Sequence, residues 1–187
     1  MTAHVPPSLP PSPSESWVPP SVGSFTYPDV SPRAGAVWYR NYKVYRKWFL
    51  AEWVGNLGEH FLYLLAIGFG IGAYIRGIEG MSYARFIAPG LVVSLAMWTS
   101  TFEATFGCYT RLNVQRTYEG MLCTPLSVGD VVLGDVLWCA TRALVGAVLM
   151  LVVLYAFGLV ASPLAPLVLP FVYLEGLAFA ALGMVAA

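Results

Sequence analysis

Four stretches of the chain stay apolar for about 20 residues, the length a helix needs to cross roughly 30 Å of hydrocarbon. They cover about 56–75, 86–107, 131–160 and 167–187. The third is longer than a bilayer requires, so tilt or a projecting end is expected. The fourth carries an acid, Glu175. A central carboxylate costs about 2.5–3.5 kcal/mol on an insertion scale, while each Leu, Phe or Val returns about 0.3–0.6 kcal/mol. Ten such residues lie in that run, so the sum favours insertion. The pattern predicts an all-α, polytopic membrane protein.

Two polar stretches flank these spans on the N-terminal side. Residues 1–34 are rich in Pro and Ser and hold nine of the fourteen prolines. Such a segment buries too little apolar surface to offset its chain entropy, so a disordered tail is expected. A polyproline-binding partner is the alternative use for it. In AVWYRNYKVYRKWFLAEWVGN, the cations Arg40, Lys43, Arg46 and Lys47 then alternate with Trp38, Tyr39, Tyr42, Tyr45, Trp48, Phe49 and Trp53. Rings at the interface and cations against anionic lipid suit an amphipathic helix lying in the headgroup layer. Nucleic-acid binding uses a similar mixture, but an apolar span follows at once, which favours membrane lipids over nucleic acid.

Composition agrees with burial in lipid. The chain is 58% hydrophobic and 11% charged, against about 45–50% and about 25% for soluble domains. Formal net charge is zero, which gives no reason to expect a polyanionic partner. Cys108, Cys123 and Cys139 have neither metal-ligand nor disulfide spacing, and His4 and His60 are the only histidines, so no metal site is expected. Gly68 to Gly72 lies inside an apolar run and follows no strand. Gly68 and Gly72 form a G-x-x-x-G pair, the pattern of close helix packing rather than nucleotide binding.

Basic residues set the expected orientation. Arg33, Arg40, Lys43, Arg46 and Lys47 precede the first span, and Arg111 and Arg116 follow the second; Arg76 and Arg85 lie on the other side. Seven against two places the N-terminus in the cytoplasm of a bacterial inner membrane. Cys108 and Cys123 would then be free thiols in a reducing compartment.

Between spans two and three lies CYTRLNVQRTYEGMLCTPLSVGD. Arg111, Arg116 and Glu119 are charged while Leu112, Met121 and Leu122 are apolar, the pattern of a short amphipathic helix. Pro125 disfavours helix at Thr124, and Ser127 with Asp130 reads as a capping box opening span three. This loop is either a docking surface for a soluble partner or a plain connection.

The strings FIAPGLVVSLAMWTSTFEATF, YEGMLCTPLSVGDVVLGDVLWCATRA and LEGLAFAALGM resemble permease subunits of ATP-binding-cassette exporters. The resemblance runs from about Ala36 to the end and points to the type-2 family that includes nodulation-factor, or lipooligosaccharide, exporter permeases. YIRGIEGMSYARFIAPG supports it. His60 departs from it, standing where many relatives would carry proline. The resemblance implies an expected six spans, of which four are present, in a homodimer served by separate ATPase subunits that bind ATP and Mg. It implies that this chain lacks the last two spans. The loop with Arg111, Arg116, Tyr118, Glu119, Met121, Leu122 and Pro125 would be the coupling helix that receives the ATPase's movement. No Walker-type G-x-x-x-x-G-K-[ST] occurs, so ATP would be hydrolysed elsewhere and this chain would bind no cofactor.

Ionisable residues near or within the spans are the remaining candidates. Glu59, Glu103, Asp135 and Arg142 all fall at the cytoplasmic ends of their runs. Asp135 and Arg142 are seven apart and share one helix face. Arg142 is expected to pair with Glu103 or Glu59 and line a polar entrance for a substrate headgroup; independent snorkelling is the alternative. Glu175 sits deeper, roughly 12 Å below the outer surface, and is either protonated, paired or in a structural hydrogen bond. The expected function is export of a lipid-linked oligosaccharide, polysaccharide or amphiphilic drug. An ion-coupled secondary transporter relaying through these carboxylates is the second reading, though no internal repeat supports it. An intramembrane enzyme would rest on Glu59-His60 alone, with no nucleophile beside it. A non-transporting scaffold is the fourth.

Overall fold

The structure is a computed structural model that describes residues 31–75, 80–160 and 162–186. Its α-helices are α1 (Ala34–Tyr63), α2 (Tyr83–Phe102), α3 (Thr117–Leu122), α4 (Val128–Ala156) and α5 (Val168–Ala186). Among the described residues, four helical stretches are long and apolar enough to cross a membrane: Trp53–Ala73, Tyr83–Val114, Val128–Ala156 and Ala165–Ala186. The Pro/Ser tail expected over 1–34 and Arg76 of the orientation argument fall almost wholly outside the described residues; only 31–34 of that tail are seen.

Two spans differ from the pattern-based bounds. The aromatic and basic segment is one α-helix with the first span, from Ala34 to Tyr63 without a break at His60. It continues as a π-turn, Leu64–Gly70, and a 3-10 turn, Ile71–Ala73. The expected interfacial helix and the first span are thus one continuous α-helix as far as Tyr63. The second span also runs on, past 107, as two π-turns at Glu103–Gly107 and Thr110–Val114. Thr101, Thr105 and Thr110 direct their hydroxyls at carbonyls three or four residues back. Such bonds keep backbone carbonyls occupied where the regular ladder widens.

α4 is the central post, with α1, α2 and α5 all packed along it. Small residues set the spacing. A Cβ at Gly134 would lie 2.6 Å from Val37 Cβ, and one at Gly146 2.9 Å from the Trp53 ring. Gly176 lies against Ala140 and Ala143, and Gly183 of α5 against Ala104. In lipid no water is squeezed out between helices, so close backbone approach and dispersion hold them. Leu64, Leu91, Leu95, Met150, Leu154 and Val172 fill the buried core around the middle of the post. Gly68 meets Ala84 and Gly72 meets Tyr83, joining the far end of the first span to the start of the second.

The foot of α4 is tied on all sides. The Asp130 amide donates to Ser127 Oγ at 3.1 Å, and the Ser127 amide donates to Asp130 Oδ2 at 3.1 Å, a reciprocal capping box. Asp130 Oδ1 accepts from the Ser31 amide at 2.7 Å, and Arg33 donates to the Pro125 carbonyl at 2.7 Å. The chain ahead of α1 is thereby fastened to the α3–α4 turn. Val37, Met121 and Val131 form a second small core there, with Tyr118 and Leu126 packed against it.

Candidate functional site

Asp135 is fully buried, about two turns into α4, and three other elements converge on it. Asn41 of α1 donates its amide to Oδ1, and Tyr118 of α3 donates its hydroxyl to Oδ2. Arg111, from the end of the second span, holds its Nε 3.5 Å from Oδ2, an ion pair rather than a hydrogen bond. The Cys108 thiol lies 4.0 Å from the same oxygen. A buried carboxylate is tolerated only when paired and hydrogen-bonded, and here the partners come from α1, α3 and the second span. Burial first, then the Asp135 charge and its hydrogen bond, raise the pKa of Tyr118 far above the usual tyrosine value. Its hydroxyl therefore stays a donor.

A second anion, Glu103, is buried about one and a half turns higher along the second span. Arg111 Nη1 donates to its Oε1 at 2.8 Å, and Arg142 of α4 donates to Oε2. Gly107 makes room for this carboxylate, since a Cβ there would stand 2.9 Å from Glu103 Cδ. Arg142 also lies over the Tyr45 ring, 5.4 Å from its centroid, a cation–π contact. Arg111 thus bridges two buried carboxylates, and the chain Tyr118–Asp135–Arg111–Glu103–Arg142 links α3 to the middle of α4. Arg40 donates to the Asn41 side-chain oxygen at 3.2 Å. Burial and the nearby Arg111 charge lower its pKa, with Asp135 opposing them.

The residues singled out in the sequence divide between this cluster and elsewhere. Arg142 and Glu103 pair, and Asp135 joins them through Arg111. Glu59 does not. Gly146 lies between Trp53 and Leu95, which marks one level across three helices. Glu103 is eight residues from Leu95 towards α3, about 12 Å, while Glu59 is six beyond Trp53 the other way, about 9 Å. The two carboxylates are separated by roughly 21 Å along the bundle. The apolar run begins at about 56, but α1 has already climbed beside α4 from Ala34, so its Glu59 lies far from the α3 end. Glu175 is half-buried beside the Gly176–Ala140 contact, on the opposite side of α4, and has no hydrogen bond or ion pair among the described residues.

The loop residues also part company. Arg111 belongs to the helical end of the second span, not the loop, and turns inward. Tyr118 and Met121 face the protein, while Arg116, Glu119, Leu122 and Pro125 are exposed. Arg116 takes a left-handed backbone, φ 49°, where the chain turns from the second span into α3. Cys123 is exposed, Cys108 and Cys139 are buried, and all three are free.

No family model matches the chain, and no solved structure matches it. Curated relatives do. Nodulation protein J of Sinorhizobium fredii is 39% identical over 150 residues, which is 80% of this chain and 57% of that protein. Nodulation protein J of Rhizobium leguminosarum bv. trifolii is 42% identical over the same shares. That of Azorhizobium caulinodans is 30% identical over 152 residues, 81% of this chain and 60% of the relative. This chain is a homologue of nodulation protein J. It spans a little under three fifths of the length of the nodulation protein J sequences it matches.

Some members of the site were not read from the sequence. Asn41 is the uncharged polar residue on the α1 face made by Val37, Asn41 and Tyr45, four residues apart, and that face was hidden by treating the segment as lipid-facing. Cys108 and Arg111 share a face with Glu103 at spacings of five and three. That signal was legible, given a second span that continues beyond 107.

Proposed function

We infer that the chain is the membrane-embedded permease of an ATP-binding-cassette exporter, moving a lipid-linked oligosaccharide or similar amphiphile with energy from a separate ATPase. Similarity to nodulation protein J and to type-2 exporter permeases supports this reading. The observation that carries it is the construction of the α3 region. A short helix stands between two spans, exposes Arg116, Glu119 and Leu122, and is rooted through Tyr118 in the buried cluster. A push on its outer face reaches Asp135, Arg111 and Glu103 without passing through flexible chain. Such a helix suits a partner that does mechanical work. The carboxylate–arginine cluster beside it is the polar entrance, and two copies of the permease assemble with two ATPase subunits.

The test is copurification of the full-length protein with an ATP-binding-cassette ATPase from its own cell. Wild type is expected to retain the ATPase, and Glu119→Arg with Leu122→Asp to lose it while keeping its membrane insertion. An intact protein that never captures an ATPase would remove the reading. Orientation has its own assay. The α3 end faces the cytoplasm, so exposed Cys123 should resist a membrane-impermeant maleimide on spheroplasts and react after permeabilisation. Labelling without permeabilisation would place α3 outside.

A further inference from the structure

α1 and α2 each pack along α4, yet they scarcely touch one another below the contact of Gly68 with Ala84. They open as a V towards α3, with α4 as its back wall. At the wide end lies a cleft of about 520 Å³ walled by Arg40, Tyr45 and Trp48 of α1, by Glu103 and Phe106, and by Arg142. Arg111 also lines it, so three guanidinium groups face a space where, among the described residues, Glu103 is the lining carboxylate. Adding Asp135 behind the wall leaves, among the described residues, three cations against two anions. Glu103 is taken by Arg111 and Arg142, and Asp135 by Arg111, Asn41 and Tyr118. Arg40 pairs with neither carboxylate, and its guanidinium donates to the neutral Asn41 side-chain oxygen.

The other wall of the V is aromatic. Trp98, Phe102 and Phe106 follow one another at four-residue spacing along the second span, each more than half exposed. Their ring centroids are 6.4 Å and 4.8 Å apart. Trp98 also borders a second cleft of about 300 Å³ between the same two helices, with Tyr63 and Leu91 and with Glu59 and His60 at its polar side. Cation at the wide end and rings running up the span form one path between an aqueous edge and the acyl region. Guanidinium groups recognise oxyanions through directed, charge-assisted bonds, and exposed rings along a span suit a hydrocarbon chain.

We propose that this cleft binds the oxyanion headgroup of a membrane amphiphile, held by Arg40 with Arg111 and Arg142, while its acyl chain lies along Trp98, Phe102 and Phe106. As the cargo's first site it rests on the permease reading; as a headgroup site it stands without it. A phosphate, sulfate or carboxylate would serve as the oxyanion, and either a resident phospholipid or the exported molecule presents that chemistry.

Full-length protein in a neutral maltoside detergent, titrated with dodecyl phosphate and followed by native mass spectrometry, tests it. Dodecyl phosphate should bind despite the excess of neutral detergent, and inorganic phosphate should bind at least about tenfold more weakly. Arg40→Gln should lose about tenfold in affinity, the scale of one charge-assisted contact, and Arg40→Lys should keep part of it. Phe102→Ala with Phe106→Ala should weaken dodecyl phosphate and leave inorganic phosphate unchanged. Phosphatidylglycerol binding as tightly as the single-chain probe assigns the site to a bilayer lipid; preference for the single-chain probe assigns it to a cargo-like amphiphile. Unchanged affinity in Arg40→Gln would overturn the headgroup assignment, and equal binding of inorganic phosphate would overturn the acyl path. ATPase capture reads the permease proposal separately, through α3. A protein that binds dodecyl phosphate but never the ATPase keeps this site and loses that function.

Discussion

Replacing Asp135 by alanine is the sharpest perturbation of the bundle. The carboxylate is 0% exposed and receives the Tyr118 hydroxyl, the Asn41 amide and the Arg111 charge. Truncation leaves Arg111 with Glu103 as its remaining anion and strands two neutral donors in a site closed to water. Breaking a buried ion pair costs about 3–5 kcal/mol, and each stranded donor about 1–3 kcal/mol. These do not add, because Arg111 can shift towards Glu103 and the cavity can admit water. A loss of about 3–5 kcal/mol is the expected total. Asp135→Asn keeps the volume and one acceptor, and should cost about 2 kcal/mol. Reversible unfolding in mixed micelles of dodecyl maltoside and dodecyl sulfate measures both. Glu119→Ala, on the exposed face of α3, serves as the reference and should stay within about 0.5 kcal/mol of wild type. An Asp135→Ala protein equally close to wild type would show that the carboxylate does not join the four elements.

Four further outcomes are expected. Tyr118 titrates higher in the fold than in the unfolded chain, because burial and then Asp135 disfavour its anion. Above pH about 10 the unfolded state therefore loses its proton first, and stability falls as pH rises. Tyr118→Phe should be about 1 kcal/mol less stable at neutral pH, with its gap to wild type shrinking in alkaline unfolding curves. Gly134→Ala places a methyl against Val37 Cβ at 2.6 Å and the Ala34 carbonyl at 2.7 Å, and should cost about 1–3 kcal/mol in the same assay by prising α1 from α4. Arg116→Gly relieves a left-handed backbone at φ 49° and should stabilise by about 1 kcal/mol; Arg116→Pro should detach α3 and expose Met121 to limited proteolysis. Ser127→Ala removes one arm of the capping box and should cost about 1 kcal/mol in unfolding.

Hydropathy made the spans legible because lipid imposes one rule on every residue of a crossing helix. The Ser127–Asp130 cap was equally legible, since its chemistry is local. The packing of α1 was not. Its aromatic and basic residues satisfy an interfacial pattern, and only the tertiary contacts show that Val37, Asn41 and Trp53 turn towards α4. Sequence spacing brought Asp135 and Arg142 to one face, but the third residue that joins their neighbourhoods, Arg111, lay beyond the apolar run. Glu59 was placed by counting from the start of hydrophobicity, and depth counted that way fails when a helix begins twenty residues earlier. Tyr118 was assigned to the loop on position alone, whereas its hydroxyl belongs to the interior.

The wide turns at Glu103–Gly107 and Thr110–Val114 have a consequence for how the second span tolerates change in length. A five-residue loop of backbone in place of four stores spare contour in a helix that otherwise has none. Deleting one amino acid within Glu103–Gly107 would tighten the coil to ordinary pitch and keep the angular phase downstream, whereas the same deletion in the regular helix above would swing everything after it by about 100°. Arg111 would keep its bearing on the carboxylates in the first case and point at lipid in the second. The second span is therefore expected to absorb a one-residue deletion in this interval more readily than one between Tyr83 and Phe102.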